Sequence, residues 1–131
     1  MNILVTGASK GIGNAIAHEL QNIGEVFVTG RNEKALIECN AKGFCVCDLS
    51  KDITTLTDFI EKNNIDVLIN NAGEYIYSDL DKMNIKDIQR LYQTNLIAPA
   101  FLASKVIPNM KNKKWGRIIN IGSISGVMGE A

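Results

Sequence analysis

The sequence has no excess of either charge: 14 lysines and arginines balance 14 aspartates and glutamates, for a formal net charge of zero. Without a broad field of one sign, neither nucleic acid nor an anionic membrane is favoured as a partner, and any anion must be bound locally. Long apolar runs are missing too. The longest, such as Ile97 to Ala103, fall far short of the roughly 20 residues that span a bilayer, so the chain reads as soluble. Met1 leads directly into a strand pattern, with no basic stretch, apolar stretch and small-residue cleavage site in succession, so export is not expected. Cysteine is scarce, and the single residue between Cys45 and Cys47 fits neither a redox CxxC nor paired zinc ligands. These two and Cys39 read as reduced thiols of a cytoplasmic protein, with Cys45 and Cys47 on one face of a strand as small hydrophobes. The lone histidine, His18, has no carboxylate or nucleophile at a useful offset and reads as a surface residue. The lone tryptophan, Trp115, stands in a short basic run before a strand and reads as a turn anchor, not a base-stacking group. Asp66 and Asp79 show no metal-like clustering, and no metal is expected.

What the sequence does have is alternation. Its 131 residues, 46% of them hydrophobic, suffice for one core. Apolar runs of strand length alternate with segments of helical period, which marks βαβ units and a parallel sheet. Strands are expected at Asn2–Thr6, Glu25–Thr29, Gly43–Cys47, Asp66–Asn70 and Gly116–Ile121. A first helix is expected to bury the face carrying Ile12, Ala15, Ile16, Glu19 and Leu20. A short helical piece is expected at Glu33–Glu38. Ser50 is the expected N-cap of a helix carrying Ile53, Leu56, Phe59 and Ile60. One long helix is expected from about Ile85 to Met110, with Pro99 inside it as a possible kink and Pro108 near its end. Glycines at 122, 126 and 129 are expected to open a loop after the fifth strand.

Between the first strand and first helix lies Thr6-Gly7-Ala8-Ser9-Lys10-Gly11-Ile12-Gly13, where a doubly wound sheet presents a helix N-terminus to a pyrophosphate. Gly7 permits a sharp turn off the strand. Gly11 and Gly13 remove the Cβ atoms that would obstruct a phosphate or close helix packing, and free N–H groups favour the anion. A glycine-rich string can also be an ordinary flexible turn, but its position at the head of a βαβ unit favours a nucleotide. A Walker-type loop is excluded, because Lys10 precedes Gly11 and no Gly-Lys-Ser/Thr follows. After the second strand the sequence reads Thr29-Gly30-Arg31-Asn32. No carboxylate stands where an NAD-binding protein would meet the ribose 2′-hydroxyl. Arg31 can grip a 2′-phosphate and Lys10 can add a second cation, so NADP(H) is preferred over NAD(H), with nearby Glu33 as the opposing feature.

Together these motifs resemble the short-chain dehydrogenase/reductase family, and the resemblance runs from Met1 to Ala131. TGASKGIG at 6 to 13 is similar to the family's coenzyme turn, which assigns Gly7, Ser9, Lys10, Gly11, Ile12 and Gly13 to the coenzyme. Asp48-Leu49 resembles its adenine-contacting position, and Asn70-Asn71-Ala72-Gly73 its NNAG motif, so that Asn71, Ala72 and Gly73 join the same site. As residues, Asn70, Asn71 and Gly73 could tie strands together at the sheet's edge, or form a simple Asx turn. Asn95 aligns with the family's catalytic asparagine, which would hold the water of a proton relay. Ser123, two residues after Ile121, aligns with the active-site serine, whose hydroxyl can donate to a developing oxyanion. Ser125 is the competing candidate; the family's spacing selects Ser123, which leaves Ser125 to the loop, with a supporting contact. Tyr75 and Tyr77 stand in a loop that borders the substrate in the family.

The resemblance implies a Rossmann-like, doubly wound α/β domain truncated after the fifth strand, with residues 1–131 as an incomplete NAD(P)-binding unit. Family members pair hydride transfer at the nicotinamide with a Tyr-x-x-x-Lys pair that handles the proton. Here Tyr75, Tyr77 and Tyr92 are followed four positions later by Asp79, Asp81 and Leu96, and only eight residues follow Ser123. The architecture usually needs roughly 200 to 250 residues. The chain is therefore expected to be part of a longer enzyme and inactive alone, with the fifth strand an exposed apolar edge. The implied function is NADP(H)-dependent reduction of a small-molecule carbonyl or oxidation of an alcohol. The segment from Ile121 to Gly126 most resembles 3-oxoacyl-acyl-carrier-protein reductases. A non-catalytic NADP(H)-binding module is the alternative, and an epimerase or dehydratase of the extended branch is disfavoured by its GxxGxxG spacing. The family also implies a homo-oligomer, a tetramer or dimer, packed through the long helix; Leu96, Ile97, Phe101 and Leu102 agree with that or with burial against the sheet.

Overall fold

The computed structural model describes residues 1–128; Gly129, expected in the last loop, lies outside them. Five strands, β1 (Asn2–Thr6), β2 (Glu25–Gly30), β3 (Gly43–Val46), β4 (Val67–Asn70) and β5 (Arg117–Asn120), form one sheet ordered β3-β2-β1-β4-β5. Every neighbouring pair is parallel. The crossovers carry α1 (Gly11–Leu20), α2 (Glu33–Glu38), α3 (Thr54–Asn63), α4 (Ile85–Tyr92) and α5 (Ala98–Lys113). The order reverses beside β1, which pairs with β2 on one side and β4 on the other. This is a Rossmann-like doubly wound sheet, and the reversal opens a crevice at the carboxyl ends of those strands.

The strands alternate their apolar residues between two cores. Ile3, Val5, Val26, Val28, Val67 and Ile69 pack with Ala17, Leu36 and Cys39, beneath α1 and α2. Leu4, Phe27, Cys45 and Leu68 point the other way, to Leu56 and Ile60 of α3 and Ala98, Leu102 and Val106 of α5. A sheet covered on both faces needs such near-continuous apolar strands. Leu4 and Leu68, both fully buried, contribute about 2 kcal/mol each. Cys45 and Cys47 share one core, as expected. Burial raises both thiols, and with the charges of Cys45, Asp48 and Asp52 nearby it pushes Cys47 up to about 11.

Three expectations need correction. Ile12 is 65% exposed and Ala15 is also exposed; α1 instead faces the sheet through Gly13 and Ala17, with Ile16 and Leu20 partly buried beside them. The helix sits so close to the first turn that only small residues fit: a Cβ on Gly13 would overlap the Gly7 carbonyl and the Asn71 amide. Ser50 does not cap α3. Its N–H and hydroxyl bond Asp48 Oδ1 at 3.0 and 2.7 Å, while Asp52 Oδ1 receives Thr54 N–H and hydroxyl at the helix start. Asp52 is the nearer acceptor and carries a charge. Finally, the long helix runs unbroken from Ile85 to Lys113 but is not α-helical throughout. Gln93–Ile97 forms a π-helical turn between α4 and α5, and Pro99 opens α5, where its missing N–H is tolerated. Ala98 N–H reaches back five residues to the Gln93 carbonyl.

β5 lies at the sheet's edge with all four residues exposed, the apolar edge that was expected. His18 is exposed, and so is Trp115, whose main-chain N–H donates to the Met110 carbonyl at 3.0 Å. At the amino ends of the strands, buried Asp66 gathers the polar contacts of that edge. Its Oδ2 receives Asn2 N–H at 2.8 Å, and its Oδ1 receives Asn109 Nδ2 at 3.2 Å and the Lys113 ammonium. Burial pushes the Asp66 carboxyl up, but the bonds from Lys113, Asn2 and Asn109 outweigh it and hold the group below the usual carboxylate range. A depressed folded value adds stability above the unfolded Asp pKa of about 3.9, lost as pH falls through the folded value. Asp66→Asn is therefore expected to lower the unfolding free energy at pH 7 by about 1–2 kcal/mol, and by less as pH falls below about 4. Denaturant titration at the two pH values measures this, and equal losses at both would remove the carboxylate's role.

Candidate functional site

The crevice at the strand reversal is a cleft of about 500 Å³. The β1–α1 turn supplies Gly7, Ser9, Lys10 and Gly11; the end of β2 supplies Thr29, Gly30, Arg31 and Asn32; Cys47, Asp48 and Leu49 follow β3; and Asn71, Ala72, Gly73 and Glu74 follow β4. Thr94 of the π turn closes the lining.

Thr6 holds the two central strands together at this end. Its buried hydroxyl accepts the N–H groups of Asn71 at 3.1 Å and Ala72 at 3.0 Å. Asn71 returns the link, its Nδ2 donating to the carbonyls of Thr6 at 3.0 Å and Gly7 at 3.3 Å. The Asn71 amide therefore ties strands, one of the two readings of NNAG. Asn70 does the same toward β5, its Nδ2 donating to Asn120 Oδ1 at 2.9 Å.

The turn itself leaves space for an anion. Gly7 and Gly11 both have positive φ, +68° and +57°. At Gly7 a Cβ would also press on Ala72, whereas at Gly11 it would meet nothing within 4 Å. Gly11 is thus required by backbone conformation and faces open space. The N-terminus of α1 has no capping side chain and no acidic residue in its first turn, so its leading amides are left for an outside acceptor. Three buried hydroxyls of lining residues, Ser9 Oγ, Thr29 Oγ1 and Thr94 Oγ1, have no hydrogen-bond partner among the described residues. Buried polar groups are ordinarily satisfied, so these three suit a polar molecule lying in the cleft.

Charge in the lining is divided. Lys10 and Arg31 are exposed cations at its rim, and Glu33 does not line it. Asp48 is an anion: burial pushes it up, but the two Ser50 bonds and the charges of Lys51 and Arg31 outweigh that and lower it. Glu74 is paired with Arg90, Nε to Oε1 at 3.2 Å.

Four of the residues assigned from sequence do not line the cleft. The Ile12 side chain turns to solvent, Gly13 is filled in by its neighbours, and Asn95 and Ser123 lie beyond the wall. Asn95 reaches the wall indirectly, Oδ1 accepting Glu74 N–H and Nδ2 donating to the Glu74 carbonyl, each at 2.8 Å. Ser123 stands just past β5 and its Oγ accepts Ser125 N–H at 3.2 Å, capping the short turn Ile124–Gly126. Acceptance leaves the Ser123 O–H able to donate elsewhere. Tyr75 and Tyr77 are exposed. Thr29, Gly30, Asn32, Cys47, Glu74 and Thr94 were not anticipated; each stands within two residues of an anticipated position, which was the signal available.

A family model described as short chain dehydrogenase matches residues 1–131. The chain is 38% identical to the 3-oxoacyl-[acyl-carrier-protein] reductase FabG of Haemophilus influenzae, over 96% of this chain and 56% of that protein. It is 36% identical to the corresponding protein of Rickettsia prowazekii, over 96% of this chain and 55% of that one. Among solved structures, a short-chain dehydrogenase from Sphingobium yanoikuyae in complex with NADPH superposes with a TM-score of 0.90 at 27% identity, covering 98% of this chain and 56% of that one. A 3-oxoacyl (acyl-carrier-protein) reductase from Agrobacterium tumefaciens with NADP bound gives 0.82 at 31% identity, covering 95% and 53%. The chain spans a little over half the length of the curated relatives it matches.

The Thr6 link is open to test. Thr6→Val takes the acceptor from the Ala72 N–H and leaves the Asn71 N–H only the Ile69 carbonyl, and it is expected to destabilise the chain by about 1–2 kcal/mol, while Thr6→Ser recovers most of that. Chemical denaturation of the three proteins decides it, and a neutral Thr6→Val would mean that Asn71 holds the strands unaided.

Proposed function

The chain belongs to the short chain dehydrogenase family, and on that premise we propose that residues 1–131 form the NAD(P)-binding domain of an NADP(H)-dependent oxidoreductase. Its reaction would be hydride transfer between the nicotinamide and a carbonyl or alcohol, with a 3-oxoacyl thioester as the substrate class favoured by the names of its relatives. The observation that carries this reading is the cleft itself: uncapped α1 amides, open space at Gly11 and three unpartnered hydroxyls converge where the strand order reverses.

The residues fit a phosphorylated dinucleotide. The amides at Gly11, Ile12 and Gly13 would take the diphosphate, so Ile12 would act through its main chain while its side chain stays outside. Ser9 and Lys10 stand on the same turn. Arg31, whose charge also acts on Asp48 in the same lining, would hold the 2′-phosphate together with Lys10. Asp48, Leu49, Asn71, Ala72 and Gly73 would border the rest of the molecule. When bound, the nicotinamide supplies or receives the hydride. On the protein's side, the Ser123 hydroxyl would donate to the substrate oxygen as charge grows there. The Asn95 amide is spent on Glu74, so a water in a proton relay would fall to its main-chain carbonyl. Pro99, four residues on, has no N–H to give that carbonyl. No tyrosine of this chain has a lysine four positions later, so NADPH binding without turnover of a 3-oxoacyl thioester is the behaviour expected of it alone.

A cytoplasmic setting is supported by three buried, unpaired thiols; among the described residues no helix is long and apolar enough to cross a membrane. Balanced charge argues against nucleic acid as a partner. The long helical arm divides its apolar residues: Leu102 is buried against the sheet, while Leu96, Ile97 and Phe101 are exposed. We assign that exposed set to a homo-oligomeric contact, a dimer or tetramer, and Phe101→Glu is expected to shift the chain to monomer in sedimentation without unfolding it.

Nicotinamide fluorescence tests the coenzyme assignment. NADPH is expected to bind more tightly than NADH, and Arg31→Asp to weaken NADPH about 10- to 100-fold with little change for NADH. A preference for NADH, or an Arg31→Asp chain with unchanged affinity, would sink the assignment.

A further inference from the structure

No residue of α4 is buried, so packing does little to hold this helix on the domain. Its C-terminal end runs on into the π turn and α5, and the Arg90 side chain ties it to the segment after β4. Arg90, in its last turn, forms an ion pair with Glu74, Nε 3.2 Å from Oε1, with Asp87 Oδ1 3.7 Å from its terminal nitrogen. Glu74 lines the cleft, and the Asn95 amide grips its N–H and its carbonyl. The Glu74 side chain is 19% exposed against 47% for Arg90, so the carboxylate is the more withdrawn from water and depends on its partner. Around it the chain from Asn71 to Asp79 has no regular secondary structure. Asp48 and Glu74 are the two carboxylates in the cleft lining; Asp48 is occupied by Ser50 and Lys51, and Glu74 by Arg90.

We infer that Arg90 is a positioning residue for the cleft: by holding the Glu74 carboxylate on α4, it fixes the turn after Gly73 against the Asn95 clamp and keeps an unpaired negative charge away from an anionic coenzyme. Arg90 itself does not line the cleft and acts through Glu74. Its effect on coenzyme affinity rests on the NADP(H) reading, whereas its effect on the turn does not.

The two can be measured separately on this chain. Hydrogen exchange of the segment from 73 to 79 reads the turn without any ligand, and NADPH fluorescence reads the cleft. Arg90→Met is expected to speed that exchange and to weaken NADPH, each about threefold, the scale of a partly exposed ion pair. Peptides from β1 and β4 should be unchanged. Arg90→Lys is expected to recover most of both effects, because it keeps the charge. Exchange and affinity unaltered in Arg90→Met would overturn the inference, as would loss of protection throughout the sheet. Raising the salt concentration on the unsubstituted chain gives the same reading without a mutation, since such a pair is screened, and an unmoved 73 to 79 segment would again overturn it. Should the unsubstituted chain fail to bind NADPH at all, the coenzyme reading falls while the exchange data still decide the role of Arg90.

Discussion

A single hydroxyl at the end of β1 sets the spacing on which the cleft depends. Thr6 Oγ1 takes two main-chain N–H groups from the segment leaving β4, at Asn71 and Ala72, and Asn71 answers through its amide to the Thr6 and Gly7 carbonyls. Parallel strands have no turn to join their ends, and their ladder stops where the chains diverge. The Thr6 and Asn71 bonds continue the connection past that point. They bring the glycine turn and the NNAG segment close enough that Gly7 touches Ala72 and Gly13 touches Asn71. The small residues at 7 and 13 are therefore consequences of this approach as much as provisions for a ligand.

Around that frame the cleft keeps its cations exposed and its anions occupied. Lys10 and Arg31 lie exposed at the rim, while Asp48 accepts from Ser50 and sits near Lys51, and Glu74 is held by Arg90. A chain with no net charge can favour an anion only by such local division. The uncapped end of α1 adds to it, since its first amides carry partial positive charge with no side chain to absorb it.

Local pattern carried the fold a long way. β1 and α2 have the expected bounds, and the other strands differ by a residue or so at their ends, because buried strands in a doubly covered sheet are apolar on both faces and end at glycine or polar residues. Spacing failed where a neighbour from elsewhere in the chain decided the outcome. Apolar periodicity pointed to Ile12 and Ala15 as the inner face of α1, yet the close approach of Gly7 and Asn71 selects Gly13 and Ala17. Ser50 was the better N-cap by position ahead of an amphipathic run, but Asp48 claims it and Asp52 takes the helix start. Pro99 marked a disturbance in the long helix without showing its form, a π turn that carries Thr94 to the cleft and Asn95 to Glu74.

By itself, then, the order of residues determined the alternating α/β architecture, the glycine turn at the head of the first crossover, the basic residue after β2 and the NNAG segment. Each is written in neighbours along the chain, through periodicity, backbone freedom or charge. Only the tertiary structure decided which of those residues meet. It joined Thr6 to Asn71, Asn95 to Glu74 and Glu74 to Arg90, and left Ser9, Thr29 and Thr94 unpartnered around one space. Such pairings come from strand order and crossover geometry, which bring together groups 16 to 65 positions apart, and no local propensity encodes a distance of that kind.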